Sequence, residues 1–452
     1  MKRSGALYAV QRLRTHWDYL RTSFWFVPAV MGLAALGALW LSLAVEGRLV
    51  DLLGTEAPWP LYVGNRGDAR DILSTVLSSM ITMASLVFSI TMVVLTLAAS
   101  QFGPRLIRNF MASRQTQFVL GTFVMTIVYC LLALTIVARR SEDQSLPSVT
   151  VTVAIALAIV SVAFLVLHLH VLARSIVSET VIERVGKELD DLLAALPPLD
   201  PEKPDPPRRS DADLPEEGVA LLGPETAGYV QAIEIGRLLE VARAADVQVQ
   251  LRFRAGDYVL EGGHSIGVRP ATRLDDRLAA QIRRSIVIGA HRTPTQDPDF
   301  AIRHQVEIAV RALSPGINDP YTAVSVLNRL SASLARLMRR KLPTGEYRDD
   351  DGRVRLLTPA PTYAGMLTAA FGQIRQNGGD KPVIVLYLLQ AISRTAEHAR
   401  IPEQWEALRR ELEIVAAGAR RRIDDPADRA AIADRIEEAE RSIARCEAMR
   451  RS

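Results

Sequence analysis

The sequence predicts an α-helical membrane domain with four transmembrane helices, followed by a cytoplasmic α+β domain with a mostly helical C-terminal part. Three observations support this fold class. The 452 residues are 49% hydrophobic and their mean hydropathy is +0.12, which is too apolar for an ordinary soluble chain of this size. Four apolar runs are long enough to cross a bilayer. Charged residues still make up 23% of the chain, so a large part of it must face water.

The four apolar runs define the expected spans. The first run follows a basic N-terminus and is longer than the apolar core of about 7–15 residues that a cleaved signal peptide has, so we interpret it as a transmembrane helix. None of the runs has Asp, Glu, Lys or Arg in its interior, which argues against proton relays and ion-coupled transport. The predicted spans are Phe24–Val45, Asp71–Ser100, Phe118–Ala138 and Val149–Ala173.

The distribution of Lys and Arg predicts the orientation. Basic residues flank the membrane at the N-terminus, in the connector Arg105–Arg114 and after Arg174, and cytoplasmic loops carry an excess of Lys and Arg. We therefore expect both termini in the cytoplasm and the polar loop Glu46–Arg70 outside. The net charge of +4 follows from this topology rather than from nucleic-acid binding, because the basic residues form no tract with interleaved aromatics.

The second span has two distinct faces. Its small, mostly hydroxylated residues recur in alternating steps of three and four, beside a stripe of larger apolar residues, so each set occupies one side of a helix. The small residues suit either close helix–helix packing in lipid or the lining of a water-filled pore. We call the following residues the hydroxyl stripe: Thr75, Ser78, Thr82, Ser85, Ser89 and Thr96.

Composition predicts the domain boundaries. Residues 197–217 are rich in proline and charge, as an extended linker would be. The expected parts are a four-span domain with a cytoplasmic helical extension (residues 1–196), the linker (197–217), a cytoplasmic α+β domain (218–401) and charged C-terminal helices (402–452). The last part carries a short coiled-coil-like seam.

Periodicity and turn residues predict the elements of the α+β domain. Strands are expected at 228–232, 247–254, 258–261 and 264–268, with a helix at Ile235–Ala245. The stretch RAGDYVLEGGHSIGV is similar to lipoyl-type β-hairpins but has no lysine at its tip, so we expect a compact hairpin without a prosthetic group. Residues 343–361 should form a polar excursion between helices. The remaining helices are expected at 274–288, 299–313, 321–342, 362–376 and 382–400.

One helix–loop–helix segment of this domain is a candidate ligand site or interface. One face of the helix Asp299–Leu313 carries polar residues, and the loop after it ends at an expected N-cap followed by proline. A polar ligand pocket, an anion at the next helix N-terminus and a plain helix–turn–helix with a solvated face all fit, and the last explains every feature. We call the following residues the loop cluster: His304, Glu307, Arg311, Ser314, Asn318 and Asp319.

Several function classes lack a signature in this sequence. The two cysteines, Cys130 and Cys446, provide no disulfide framework and no cysteine-based metal site. His168 and His170 lack a nearby third ligand. The common hydrolase, metalloprotease, phosphate-binding and dinucleotide-binding motifs are absent. We therefore expect no catalytic activity, no cofactor, no metal and no nucleic-acid partner.

Four stretches carry a resemblance to a known family. They are SFWFVP at 23–28, the second span from Ser89 through SQFGPR at 100–105, Arg292-Thr293-Pro294 with Gln296-Asp297, and ALSPGINDP at 312–320. Together they resemble the bacterial predicted-membrane-protein family catalogued as domain of unknown function 2254. This resemblance implies a multi-pass protein of the bacterial inner membrane with a cytoplasmic C-terminal region, and it implies no activity.

Three function hypotheses follow. The first is a homo-oligomeric ion channel or pore, lined by the hydroxyl stripe and regulated by the cytoplasmic domain, with a small ion as the permeating species. The alternative is a membrane-anchored sensor or scaffold whose cytoplasmic domain binds a small ligand or protein; it requires the hydroxyl stripe to be hidden inside each protomer. A membrane-tethered enzyme using His304, Glu307 and Arg311 is a third hypothesis with weaker support. In each, the lipid bilayer surrounds the spans.

Overall fold

The computed structural model describes residues 25–53, 62, 65–102, 114–139, 147–175, 178–202 and 218–451. The chain forms two compact units, Met1–Val177 and Ser178–Ser452. The basic connector up to residue 113 and most of the predicted linker lie outside the described residues.

The first unit contains four helices that are long and apolar enough to cross a membrane. This confirms the four predicted spans, although every helix is longer than its apolar core. At about 1.5 Å per residue, the second helix alone reaches roughly 55 Å, against a hydrocarbon core of about 30 Å. The helices are α1 (Phe26–Leu53), α2 (Arg66–Phe102), α3 (Arg114–Arg139) and α4 (Ser148–Ser175).

The helix α3 forms the centre of this unit. It packs against α1, α2 and α4, and Phe123, Tyr129 and Ala133 on it are fully buried. A Cβ atom at Gly121 would overlap the side chain of Met31 on α1, so the glycine allows these two helices to approach closely. The tyrosine hydroxyl donates to Ser42 Oγ at 3.0 Å. Polar side chains therefore join α1 to α3 inside the unit, and this contact does not involve the hydroxyl stripe.

Two charged side chains cap helix ends of the first unit. Glu46 on α1 is buried, and its carboxylate accepts from the backbone N–H of Val149 at 2.8 Å, at the N-terminus of α4. Arg66 at the start of α2 donates to the carbonyl of Val137 at 2.6 Å, near the C-terminus of α3. Each charge has the sign that stabilises the helix end it meets. The prediction of a polar loop at Glu46–Arg70 is wrong at both ends, because α1 continues to Leu53 and α2 begins at Arg66.

The second unit combines two small sheets with a helical layer. A five-stranded sheet has the order β1-β5-β3-β8-β7, and a three-stranded sheet has the order β4-β2-β6. All pairings are antiparallel except that of β3 with β8. The strands are β1 (Ala220–Leu222), β2 (Gly228–Ile233), β3 (Gln248–Leu251), β4 (Tyr258–Val259), β5 (Ile266–Arg269), β6 (Ile286–Gly289), β7 (Glu346–Arg348) and β8 (Val354–Leu357).

The helices of this unit follow the predictions closely in its C-terminal part. Asp297 and Asp319 cap α8 and α9, each followed by a proline at the first helical position. The helix bounds are α5 (Ser178–Ala194), α6 (Ile235–Ala244), α7 (Asp276–Arg283), α8 (Pro298–Ala312), α9 (Pro320–Leu337), α10 (Tyr363–Gly378), α11 (Pro382–Ala396), α12 (Pro402–Arg422) and α13 (Pro426–Arg451). The predicted seam on α13 packs against α11 and α12, with Ile432 and Ile443 buried.

The sheets correct three sequence predictions. The expected hairpin across Gly262-Gly263 does not form, because β4 pairs with β2 while β5 pairs with β1 and β3 in the other sheet. The helix expected at 274–288 ends at Arg283, and the apolar residues after it form β6, since they complete the three-stranded sheet. The polar excursion at 343–361 contains β7 and β8.

The helix α5 belongs to the second unit, whereas the sequence suggested an extension of the membrane domain. It packs against α8 and α9, and its residues Val185 and Leu189 are fully buried. The start of the predicted linker is also ordered against this unit, since Pro197 O accepts from Lys341 N at 2.9 Å.

An ion-pair network fastens α5 to α9. Asp190 and Arg329 have side chains that are 8% and 10% exposed, and they meet at 2.6 Å. Ser333 Oγ donates to the same carboxylate at 2.8 Å. A Cβ atom at Gly186 would overlap the Arg329 guanidinium, so this glycine leaves the space in which the arginine lies.

Candidate functional site

The hydroxyl stripe of α2 lies on the surface of the protomer. Every one of its six residues is exposed, whereas Leu73, Met80, Val87 and Ala98 are buried. At 100° per residue, these buried positions lie on the opposite side of the helix from the stripe. The packing of the first unit therefore uses the larger apolar face of α2 and leaves the hydroxylated face outward.

Hydroxyl groups of the stripe bond back to their own helix. Ser78 Oγ donates to Ser74 O at 2.9 Å, Thr82 Oγ1 to Ser78 O at 3.0 Å and Thr96 Oγ1 to Met92 O at 2.9 Å. Such bonds satisfy the hydroxyl hydrogen while the oxygen lone pairs remain available to an outside donor. The face can therefore accept hydrogen bonds from water or from another helix.

The loop cluster is only partly assembled as predicted. Glu307 and Arg311 form an ion pair at 3.4 Å with both side chains partly exposed. Ser314 Oγ donates to Arg311 O at 2.7 Å, and Asn318 N donates to Ser314 O at 2.8 Å. Asn318 has φ +48°, a left-handed conformation that asparagine adopts more readily than most residues. Ser314 and Asn318 thus close the turn between α8 and α9, while the Glu307–Arg311 pair lies on α8 itself.

The two remaining residues of the loop cluster have structural surroundings. Asp319 caps α9 by accepting from Thr322 N at 3.1 Å and Thr322 Oγ1 at 2.6 Å, and the hydroxyl bond is the main reason why the pKa of this carboxylate is lowered. His304 is 5% exposed and lies on the buried side of α8, not on a solvated polar face. The arrangement accounts for a stable turn without a ligand.

The opposite end of α8 carries a more concentrated charge network, which was not among the predicted site residues. Arg292 Nε contacts Asp297 Oδ2 at 2.5 Å, and its Nη2 contacts Asp299 Oδ2 at 3.2 Å. Arg303 also reaches Asp299, at 2.9 Å. A Cβ atom at Gly256, which has φ +95°, would overlap Asp297. The sequence signal for this network is the stretch Arg292-Thr293-Pro294 with Gln296-Asp297, one of the four that carry the family resemblance.

A cleft of about 320 Å³ opens beside this network. Its walls come from five separate parts of the second unit: the end of α5, the β2–α6 connection, the β3–β4 connection, the start of α8, and the segments around β7 and β8. Most wall residues are apolar. The polar lining residues are Arg254, Thr295, Gln296, Asp297, Asp299, Tyr347 and Thr358.

The comparisons with known proteins agree with the membrane architecture. A family model described as "Predicted membrane protein (DUF2254)" matches residues 21–394. The chain belongs to this family. The resemblance carried by the four sequence stretches is thus confirmed, and the four apolar helices together with the family indicate a membrane protein. Within the described residues, no group of three or more His, Cys, Asp or Glu side chains is placed to hold a metal ion.

Two mycobacterial relatives of the family are similar along most of their length. Uncharacterized protein Rv1290c of Mycobacterium tuberculosis is 33% identical over 424 residues, which is 92% of this chain and 80% of that protein. Uncharacterized protein Mb1321c of Mycobacterium bovis gives the same values. No solved structure matches the chain. The relatives therefore support the family and the joint presence of both units, and they carry no activity to transfer.

Proposed function

We propose that this protein is a homo-oligomeric pore of the bacterial inner membrane, in which copies of α2 surround the conduction path. One observation carries the proposal: the hydroxyl stripe lies outward on the protomer, opposite the buried face of the same helix. Hydroxyl groups and water can conduct small ions without fixed charge in the pore. Both termini lie in the cytoplasm in this proposal, and the second unit regulates the pore.

The exposure of the stripe favours the pore over the scaffold hypothesis. A scaffold whose spans only anchor it needs the stripe inside its own bundle, and the bundle buries Met80 and Val87 instead. Lipid gives helices no reason to align hydroxyls along one outward face, whereas contact with water or with a second copy does. No catalytic group enters this proposal.

Ion flux through liposomes that contain the purified full-length chain tests the proposal. We expect a flux of K⁺, Na⁺ or Cl⁻ that is lost in Ser85→Phe and in Ser89→Phe, because a ring at either position narrows a path lined by α2. The matched control is Ile159→Phe. Ile159 is 65% exposed and lies on α4 rather than on α2, so this variant should keep its flux.

Accessibility separates a water-filled path from a lipid-facing one. On a Cys446→Ser background, which leaves only the buried Cys130, cysteine at Thr82 or Ser85 should react with charged aqueous thiol reagents and cross-link between copies. Cysteine at Ile159 on α4 should do neither. Absence of flux for all three ions, or equal loss of flux in Ile159→Phe and Ser85→Phe, would refute the pore.

A further inference from the structure

We infer that the cleft at the start of α8 binds a small amphipathic monocarboxylate, whose carboxylate pairs with Arg254 and whose apolar body fills the cleft. This site stands independently of the proposed pore, because all of its walls belong to the second unit. The inference depends on three properties of the cleft: its size, its apolar walls and its charge balance.

The size and the walls select the body of the ligand. The volume of about 320 Å³ corresponds to roughly ten water molecules at about 30 Å³ each, so a ligand of about ten non-hydrogen atoms fits. Small-molecule sites are usually apolar clefts with a few polar groups that fix orientation. The apolar part of this lining consists of Leu192, Ala195, Leu196, Ile233, Ile235, Ala255, Pro298, Leu342, Pro343, Pro359 and Pro361.

The charge balance selects an anionic group. The two carboxylates in the lining, Asp297 and Asp299, are matched by the guanidinium groups of Arg292 and Arg303. Arg254 is half-buried in the cleft wall, and within the described part of the chain its guanidinium makes no ion pair. One positive charge therefore remains, and a guanidinium pairs with a carboxylate through two parallel hydrogen bonds.

The neighbouring carboxylates limit the charge of the ligand to one. Asp297 and Asp299 have side chains that are 2% and 11% exposed, so solvent screens them weakly. A phosphate monoester with two negative charges would leave one of them uncompensated beside these carboxylates, because Arg292 and Arg303 are already paired with Asp297 and Asp299 and only Arg254 remains. The N-terminus of α8 gives little help, because Asp297 already caps it by accepting from Phe300 N at 3.0 Å. A monocarboxylate fits this balance better than a phosphate.

Calorimetric titration of the full-length chain in lipid nanodiscs tests the inference, with empty nanodiscs as the blank. Octanoate is the probe, 1-octanol is its neutral counterpart and octyl phosphate its more highly charged one. Octanoate should bind more tightly than both. Arg254→Gln should weaken octanoate binding by about 10- to 100-fold, the range expected when a charged hydrogen-bond partner is lost. Arg252→Gln, at an exposed position outside the cleft, should leave it unchanged.

A second pair of variants tests the cleft without touching its charge. Ala195→Trp should abolish octanoate binding because Ala195 lines the cleft, whereas Ala194→Trp, on the exposed last residue of α5 and outside the lining, should not. Circular dichroism tests whether each variant is folded. If Arg254→Gln is not folded, the comparison of octanoate binding in Ala195→Trp and Ala194→Trp decides. Equal affinity for 1-octanol, tighter binding of octyl phosphate, or full octanoate binding in Ala195→Trp would overturn the inference.

Discussion

The buried ion pair between α5 and α9 gives the sharpest test of how the second unit is held together. Asp190→Ala removes a carboxylate that is 8% exposed and that meets Arg329 at 2.6 Å and Arg336 at 3.2 Å. It also removes the acceptor of Ser333 Oγ, which is fully buried. The substitution therefore leaves a buried hydroxyl and a nearly buried guanidinium with fewer partners.

The magnitude follows from what remains. Breaking a buried pair by removing one partner costs about 3–5 kcal/mol. Here Arg329 keeps a contact with Glu183 at 3.1 Å, although that carboxylate is 72% exposed and hence well solvated. We therefore expect Asp190→Ala to lower the free energy of opening α5 from α9 by about 2–4 kcal/mol.

Hydrogen exchange measures this local opening in the full-length chain, which avoids assuming that two units unfold as one. Amides of α5 and α9 should exchange about 30- to 1000-fold faster in Asp190→Ala, at one factor of ten per 1.4 kcal/mol. The control is Asp191→Ala at the neighbouring exposed position, which should change exchange little. Equal exchange in the two variants would refute the assignment of this pair as a fastening contact.

Two further predictions concern the second unit. Gly256→Ala should destabilise it by about 1–2 kcal/mol for the left-handed conformation, plus the cost of the overlap with Asp297. Gly262→Ala, which has φ +66° and open space around it, should show the conformational cost alone, so equal melting temperatures would contradict the overlap. Hydrogen bonding to Arg273 lowers the pKa of Asp246 to about 2, so its stabilising effect should be complete above about pH 4 and lost as the pH falls through about 2. Asp246 has φ +47°, a left-handed conformation that asparagine also adopts readily, so Asp246→Asn removes the charge and keeps the backbone preference. The unfolding midpoint of this variant should approach that of the wild-type chain in acid and lie below it at higher pH.

The elements that could be predicted from the sequence are those whose cause is local. The four spans follow from length and apolarity, and the starts of α8 and α9 follow from an aspartate before a proline. The missed strands depend on distant partners. β8 pairs with β3 across about a hundred residues, and Arg355 within it is buried against Asp349 at 2.6 Å and Asp246 at 2.8 Å. A strand of only four residues, one of them an arginine, gives no local sign of such pairing.

The candidate sites show the same division. The spacing of His304, Glu307 and Arg311 placed them near one face of a helix, yet the histidine is buried and the other two are half-exposed. Periodicity assigns positions around a helix and does not say where the neighbouring elements lie. The cleft could not be predicted from the sequence at all. Its walls come from separate segments between Leu192 and Pro361, and only the fold brings them together.

The second span combines both cases in one helix. Its two stripes follow from the spacing of residues, but the choice of the inward face does not, because lipid provides no hydrophobic driving force between helices. Packing decides instead: Leu73, Met80 and Val87 are buried within the first unit, where long side chains give more van der Waals contact than hydroxyl groups do. Once those residues are inside, the hydroxyl stripe must lie outside. An outward row of groups that can accept hydrogen bonds has its best donor in water, and the proposed ring of α2 helices would enclose that water.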